Sequence, residues 1–230
     1  AAGRWLNYLR HRLRPNTVRG SSRNIREHYD LSNDFFASFL DPGMTYSSAL
    51  FSAEANDLEQ AQRTKLQAII EKAEIGSDDH VLEIGCGWGS FALEAVRRTG
   101  CRVTGITLST EQLSLARQRV REAGLESRID LQLRDYRHIE GRYSKIVSIE
   151  MLEAVGHAGL RSFFSSCEQV LLPGGKIVIQ VITMPDRKYT AYRHSSDWIR
   201  KHIFPGGHLP SIGALARAMA SASRLGIDSI

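Results

Sequence analysis

The run Val81-Leu-Glu-Ile-Gly-Cys-Gly-Trp-Gly89 constrains this chain more than any other part of it. A short apolar stretch ends in an acid and then in glycines at positions 85, 87 and 89. A helix-compatible segment, Ser90 to Arg98, follows at once. That is strand, tight turn, helix: the place where an α/β sheet lets a ligand approach bare backbone. The spacing is G-x-G-x-G, not the G-x-G-x-x-G that cradles a dinucleotide pyrophosphate. With Glu83 at the strand end, the turn suits the amino-acid portion of S-adenosylmethionine better than a phosphate. Glu83, Gly85, Gly87 and Gly89 are therefore candidate cofactor contacts. A glycine turn alone can be no more than a tight βα connection, so its neighbours must carry the weight.

Those neighbours are regular. Apolar patterning predicts strands at 80–84, 102–106, 129–133, 144–149 and 175–182, with helices near 90–99, 110–123 and 159–171. Alternating units of this size imply a doubly wound, mostly parallel sheet. Upstream, Asp57 to Ile75 has helical apolar spacing, and the aromatic-rich stretch Asn24 to Leu40 reads as a helical cap over something. Downstream, Ser211 is placed to cap a helix running to about Ala222. Ile227 to Ile230 reads as the opening of a sixth strand. Asn16 to Ser22 reads as linker. The expected organisation is a basic arm and linker over 1–22, the remnant of a preceding domain, then one domain over 23–230 that is incomplete at its C-terminus.

At 230 residues and 42% hydrophobic content the chain can bury one full core. It contains no apolar run of about eighteen residues, the length that spans a bilayer. Cys86, Cys101 and Cys167 stand in unrelated contexts that suggest neither a disulfide framework nor a metal site, and no secretory signal opens the chain. The expectation is a reducing, cytoplasmic setting. Charge is concentrated at one end: residues 1–28 hold seven arginines against Glu27, while the whole chain is only +5. Trp5, Leu6, Leu9 and Leu13 share one helical face beside Arg10, Arg12 and Arg14. That face could lie on an anionic membrane surface, or belong to a helix left over from a missing domain. Nucleic acid is a poorer partner, because no basic-aromatic pattern continues into the body.

In such a sheet, ligands gather beyond the carboxyl ends of the strands. At the second strand end, Thr107, Leu108 and Gln112 stand where a nicotinamide enzyme would carry an acid for the ribose; neutral groups can still bond a ribose. At the third, Asp135 and Tyr136 could meet an adenine. At the fourth comes Ser148-Ile-Glu-Met-Leu-Glu-Ala-Val-Gly-His157. If strands one and four are neighbours, Glu150, Glu153 and His157 lie near the reacting end. A glutamate among Met151, Leu152 and Val155 is costly to bury without a partner, so Glu153 is the candidate acid-base group. Helix capping for Glu153 and plain exposure for His157 are the bland alternatives.

Five blocks together resemble the cyclopropane-fatty-acyl-phospholipid synthases: Arg23 to Phe36, Met44 to Ala49, Val81 to Gly89, Glu150 to His157, and Ile203 to Ser211. The resemblance implies a class I S-adenosylmethionine-dependent methyltransferase fold. It also implies cofactor contacts at Tyr46, Ser47, Gly85, Gly87, Thr107, Gln112 and Tyr136, and an acyl channel lined by segments 28–39 and 198–210. The implied reaction passes the donor's methyl to a cis double bond in a phospholipid. An alkene is a weak nucleophile, so the site must be dry and near-attack in geometry. Aromatic faces favour the resulting carbocation by about 0.5–2 kcal/mol each, with Tyr29, Phe35 and Phe204 as candidates; Phe36 and Phe39 likewise suit a long apolar substrate. Ring closure then loses a proton to a bound bicarbonate ion, held in that family by a glutamate, matched by Glu153, with a histidine, a cysteine backbone and a tyrosine.

Three positions depart from the family pattern. Ser48 replaces a common cysteine, although a backbone contact survives the change. Gln180 stands where several members have the bicarbonate-side histidine, and the tyrosine would lie beyond Ile230. The implied partners are unsaturated phospholipid and an anionic membrane, with peripheral association; a homodimer is left open. Other outcomes remain: N-methylation of a small amine, a methyl or methylene branch instead of a ring, or a lipid-binding module without turnover.

Overall fold

The computed structural model describes residues 32–53, 56–195, 198–204 and 206–230. The arm and linker over 1–22, and the candidate Tyr29, lie outside the described residues. The chain divides into two units, one holding the described residues up to Ile149 together with Val170–Ile179, the other Glu150–Gln169 and Gln180–Ile230.

The first unit contains α1 (Asn33–Ala37), α2 (Leu58–Ala73), β1 (His80–Ile84), α3 (Ser90–Thr99), β2 (Arg102–Thr107), α4 (Thr110–Glu122), β3 (Ile129–Leu133) and β4 (Tyr143–Ile149). The fifth strand, β5 (Leu171–Gln180), completes a sheet of order β3-β2-β1-β4-β5. Register is parallel through β3, β2, β1 and β4, with Ile84 opposite Ile106 on one side and Ser148 on the other. The order reverses between β1 and β4, which is where a doubly wound sheet opens a crevice at its strand ends. Four of the five β1 residues are buried, as a central parallel strand covered on both faces requires. Leu66, Ile69 and Ile70 of α2, Phe91 and Val96 of α3, and Val81, Val103 and Val147 of the strands form the main core.

The helix boundaries follow local chemistry. Asp57 accepts from the Gln60 amide at 2.8 Å to start α2, and Ser109 accepts from the Gln112 amide at 3.2 Å to start α4. Gly100 ends α3 in the left-handed conformation. By contrast α3 starts from Gly89 with no side-chain cap, and its Ala92 amide turns instead to Glu83.

The second unit carries α5 (Leu160–Val170, shared at its last residue), α6 (Asp186–Arg193), α7 (Trp198–His202) and α8 (Ile212–Ala222), besides short 3₁₀ turns at Leu152–Ala154 and His157–Gly159. Ser211 caps α8 by accepting from the Ala214 amide at 3.2 Å.

Three sequence expectations need correction. The cap helix expected over 24–40 spans only Asn33–Ala37 among the described residues. The last strand runs 171–180 rather than 175–182. It passes through Pro173-Gly174-Gly175 because Gly175 lets the β4 backbone approach: a Cβ there would sit 2.6 Å from the Ser144 carbonyl oxygen. The strand stops early because the Ile182 amide donates to Glu153 at 2.6 Å instead of to a ladder. Ile227–Ile230 forms no strand; past α8 the chain is tied by Arg224, whose backbone and side-chain N–H groups both donate to Glu168, and then runs exposed. No described helix is long and apolar enough to cross a membrane.

Candidate active site

The glycine turn hangs on its neighbouring strand. The amides of Gly85 and Cys86 both donate to the Ile106 carbonyl, at 2.9 and 3.0 Å, and Gly89 donates to Cys86 at 2.8 Å. Gly87 has φ +51°, and a Cβ built there would find only the Gln112 amide, at 4.0 Å. Among the described residues, the position a side chain would take at Gly87 is open. At the next strand end, Thr107 donates to Gln112 at 3.2 Å, and both are buried. Leu108 follows them, half-buried. Asp135 is also buried, but Arg137 takes both its oxygens, at 2.8 and 2.6 Å. The acceptor role read for Asp135 is thus shared with an arginine, and Tyr136 lies beneath that same guanidinium at 5.3 Å.

Glu83 is the electrostatic anomaly. It lies 3% exposed within β1, and burial pushes its carboxyl up to about 8 against the opposing pull of Lys65 and the Ala92 amide. One of its oxygens, Oε2, has no hydrogen-bond partner among the described residues. An unpaired buried acceptor of this kind costs about 1–3 kcal/mol, so a donor arriving from the ligand side, an ammonium above all, would be bound strongly there.

The segment over 41–47 reaches the same turn. Asp41 gathers the amides of Gly43 and Thr45, each at 2.8 Å. Ser90, in the first turn of α3, donates to the Gly43 carbonyl. Trp88 of the glycine turn donates from its indole to Asn33 at 2.8 Å, and its ring packs 5.1 Å from Phe36, against which Tyr46 stacks edge-on at 5.3 Å. Phe36 is only 1% exposed and belongs to this packing, with Phe39 against it at 5.9 Å. Phe35 and Phe39 remain half-exposed. Two residues missed in the sequence hold Ser47: Lys65 donates to its hydroxyl at 2.6 Å and Gln62 to its carbonyl at 2.7 Å. Both are buried polar residues on the inner face of α2. Ser48 is exposed beside them.

The second unit holds a carboxylate site of its own. Glu150, the first residue after β4, is forced to φ +48°, a conformation that side-chain-bearing residues rarely adopt. Its amide donates to the Gln180 carbonyl at 2.8 Å, and the Gln180 amide returns to its carboxylate at 2.9 Å. Glu153 accepts the Ile182 amide at 2.6 Å on one oxygen, while Oε2 is buried with no partner among the described residues. Burial raises its carboxyl to about 7, with the nearby Glu150 charge adding to the rise. A carboxyl that titrates near neutrality can take a proton and give it back. His157 is exposed but not idle. Its Nδ1 lies 2.7 Å from the Tyr189 hydroxyl, which lies 2.9 Å from Nε2 of buried His208. The local pattern signalled neither Tyr189 nor His208. Phe204 is half-exposed in the same unit. No cluster suited to a metal ion occurs among the described residues.

A family model described as mycolic acid cyclopropane synthetase matches residues 17–227. The tuberculostearic acid methyltransferase UfaA1 of Mycobacterium tuberculosis is 47% identical over 200 residues, covering 84% of this chain and 47% of that protein. The cyclopropane-fatty-acyl-phospholipid synthase of Escherichia coli is 37% identical over 193 residues, covering 84% of this chain and 48% of the relative. The chain therefore spans about half the length of these curated relatives. Among solved structures, mycolic acid cyclopropane synthase CmaA1 complexed with SAH and CTAB superposes with TM-score 0.82 at 32% identity, over 90% of this chain and 76% of that one.

Proposed function

The chain belongs to the mycolic acid cyclopropane synthetase family, and on that premise we propose that it passes a one-carbon unit from S-adenosylmethionine to a cis double bond of a phospholipid acyl chain and closes a cyclopropane ring. When bound, S-adenosylmethionine supplies an electrophilic methyl group. On this reading its ammonium end meets the unpaired Oε2 of Glu83, its backbone rests on Gly85 to Gly89, and its nucleoside faces Thr107, Gln112, Asp135 and Tyr136. Tyr46, Ser47 and Ser48 bound the same site.

The observation that carries the reading is Glu153. Its carboxyl has one oxygen fixed by the Ile182 amide and the other without a partner among the described residues, and it titrates at about 7. Attack by the alkene leaves a carbocation, and Glu153 accepts the proton that is lost as the ring closes. Phe35, Phe39 and Phe204, each with exposed ring surface, suit an apolar chain better than a small amine. The bicarbonate implied by the family resemblance would meet the carboxyls of Glu150 and Glu153, and a Gln180 amide already donating to Glu150. That is a poor setting for a second anion, so the deprotonation is assigned to Glu153 itself. The basic arm supports peripheral attachment to anionic lipid.

A methyl or methylene branch is the second reading, favoured by the 47% identity to a protein named for tuberculostearic acid. The two readings share methyl transfer and part at the fate of the cation. The test is incubation with ¹³C-methyl-labelled S-adenosylmethionine and vesicles of cis-unsaturated or fully saturated phospholipid. Label should enter the acyl chains of the unsaturated vesicles alone, and proton NMR of the product separates ring protons from those of an exocyclic methylene. Donor consumption with no label in lipid would refute the proposal.

A further inference from the structure

Helix α6 presents one polar stripe to the segment between α7 and α8. Asp186 accepts from the Ser211 hydroxyl at 2.6 Å and the Gly213 amide at 3.2 Å. Tyr189 reaches His208 at 2.9 Å, and the Tyr192 hydroxyl accepts from the Leu209 amide at 3.1 Å. Residues 186, 189 and 192 recur every third position, so they share a face. The segment they hold touches Glu153 directly: the His208 amide donates to the Glu153 carbonyl at 2.7 Å. Met184, two residues past the Ile182 amide that binds the Glu153 carboxylate, donates to Pro210 at 2.8 Å. Backbone and side chain of Glu153 are thus gripped by two strands of chain that are themselves bonded together.

Tyr189 sits at the centre of this grip, between two imidazoles. A phenol has one proton to give. If it donates to His208, then His157 must donate to it; if it donates to His157, then His208 must. The three groups therefore adopt one of two directed chains, and each accommodates one additional proton without losing a bond. A second proton would make both imidazoles donors toward Tyr189, and the phenol proton would then have no acceptor.

We propose that Tyr189, linked to His157 and His208, is a positioning residue for Glu153, and that its bond to His208 keeps the catalytic carboxyl dry and aimed. This rests on Glu153 being the base, as proposed above. The charged and titratable groups facing the chain are Arg193, 5.9 Å over the Tyr189 ring, Asp186 and Tyr192 on α6, Arg217 on α8, and Glu150 beside Glu153. Desolvation and the two arginines hold His157 below its ordinary value. The grip therefore stays closed at neutral pH and loosens only in acid.

The test is a set of pH–rate profiles on cis-unsaturated vesicles, paired with a ¹³C NMR titration of the Glu153 carboxyl, identified by its loss in E153Q. Tyr189→Phe keeps the ring and removes the hydroxyl. It should lower kcat by roughly 10- to 100-fold, the scale of a misplaced catalytic group, while KM for the donor stays within about twofold. The Glu153 midpoint should fall from about 7 toward 4.5 as water reaches the carboxyl. His157→Gln, whose amide can both give and accept, should restore most of the rate that His157→Ala loses. Tyr192→Phe, which removes the acceptor of the Leu209 amide and leaves the bond to His208, should shift the midpoint less than Tyr189→Phe does. If Tyr189→Phe fails to fold, His157→Ala must show the same shift in midpoint. An unshifted midpoint and wild-type kcat in these variants, with E153Q inactive, would overturn the positioning role alone. A fully active E153Q would instead overturn the assignment of the base.

Discussion

Glu83 yields the sharpest prediction, because its state without donor and its state with donor should differ by a proton. Buried and raised to about 8, it is ionised in about one molecule in ten at pH 7 and about one in a hundred at pH 6. Only the ionised form pairs with an ammonium, so binding must first remove a proton. A charged hydrogen bond of about 1.5–3 kcal/mol makes the ionised form bind roughly 12- to 160-fold tighter than the neutral one, so the association constant for S-adenosylhomocysteine should rise about two- to sixfold between pH 6 and pH 7. Roughly half to nearly one proton should be released at pH 7. Glu83→Gln removes both effects. A hydrogen bond to a charged group contributes about 1.5–3 kcal/mol, and ionising Glu83 at pH 7 costs about 1.4 kcal/mol. The variant should therefore lose no more than roughly 15-fold in affinity at pH 7, and no more than about threefold at pH 6. Calorimetry in buffers of differing ionisation enthalpy reads proton release and affinity together. A flat affinity from pH 6 to pH 7, with no proton exchanged by the wild-type protein, would refute the pairing of Glu83 with the donor's ammonium.

Two more outcomes follow from the same geometry. If Glu153 must be ionised to accept a proton, kcat should fall about tenfold per pH unit below about 7 and level off above it, and E153Q should lower turnover by roughly 10²-fold or more with donor affinity nearly intact; an acid limb unchanged in E153Q would reassign that ionisation. Gly87→Val should abolish donor binding while leaving a folded protein: chain neighbours aside, the new Cβ meets nothing among the described residues closer than 4.0 Å, so the main cost to stability is the left-handed backbone, about 1–2 kcal/mol. Wild-type binding by the folded variant, measured by calorimetry beside a thermal melt, would place the donor elsewhere.

Much of the fold was legible because it rests on local periodicity. The apolar run into Gly85 had to be a buried strand, and Asp57, Ser109 and Ser211 stood where helix caps stand. What local pattern could not show was contact between distant residues. Gln62 and Lys65 are polar positions of a helix recognised by its apolar spacing alone, yet they turn inward to hold the segment around Ser47. His157, Tyr189 and His208 lie 32 and 19 residues apart and meet only in three dimensions. The strand expected from 175 begins at 171 instead, because the close approach of a neighbouring strand that Gly175 permits leaves no mark on composition. Ile182 read as strand because nothing local reveals that a glutamate 29 residues earlier takes its amide. Phe36 could not be told from Phe35 and Phe39 until the Trp88 ring beside it was seen.

The central claim, transfer to a lipid alkene followed by loss of a proton from the transferred group, meets its most direct test in the mass of the product. S-adenosylmethionine carrying a fully deuterated methyl group, turned over with cis-unsaturated phospholipid vesicles, should yield acyl chains heavier by one CD₂ unit, with the third deuterium released to solvent. Acyl chains that keep all three deuteriums, or that gain no deuterium while the donor is consumed, would contradict it.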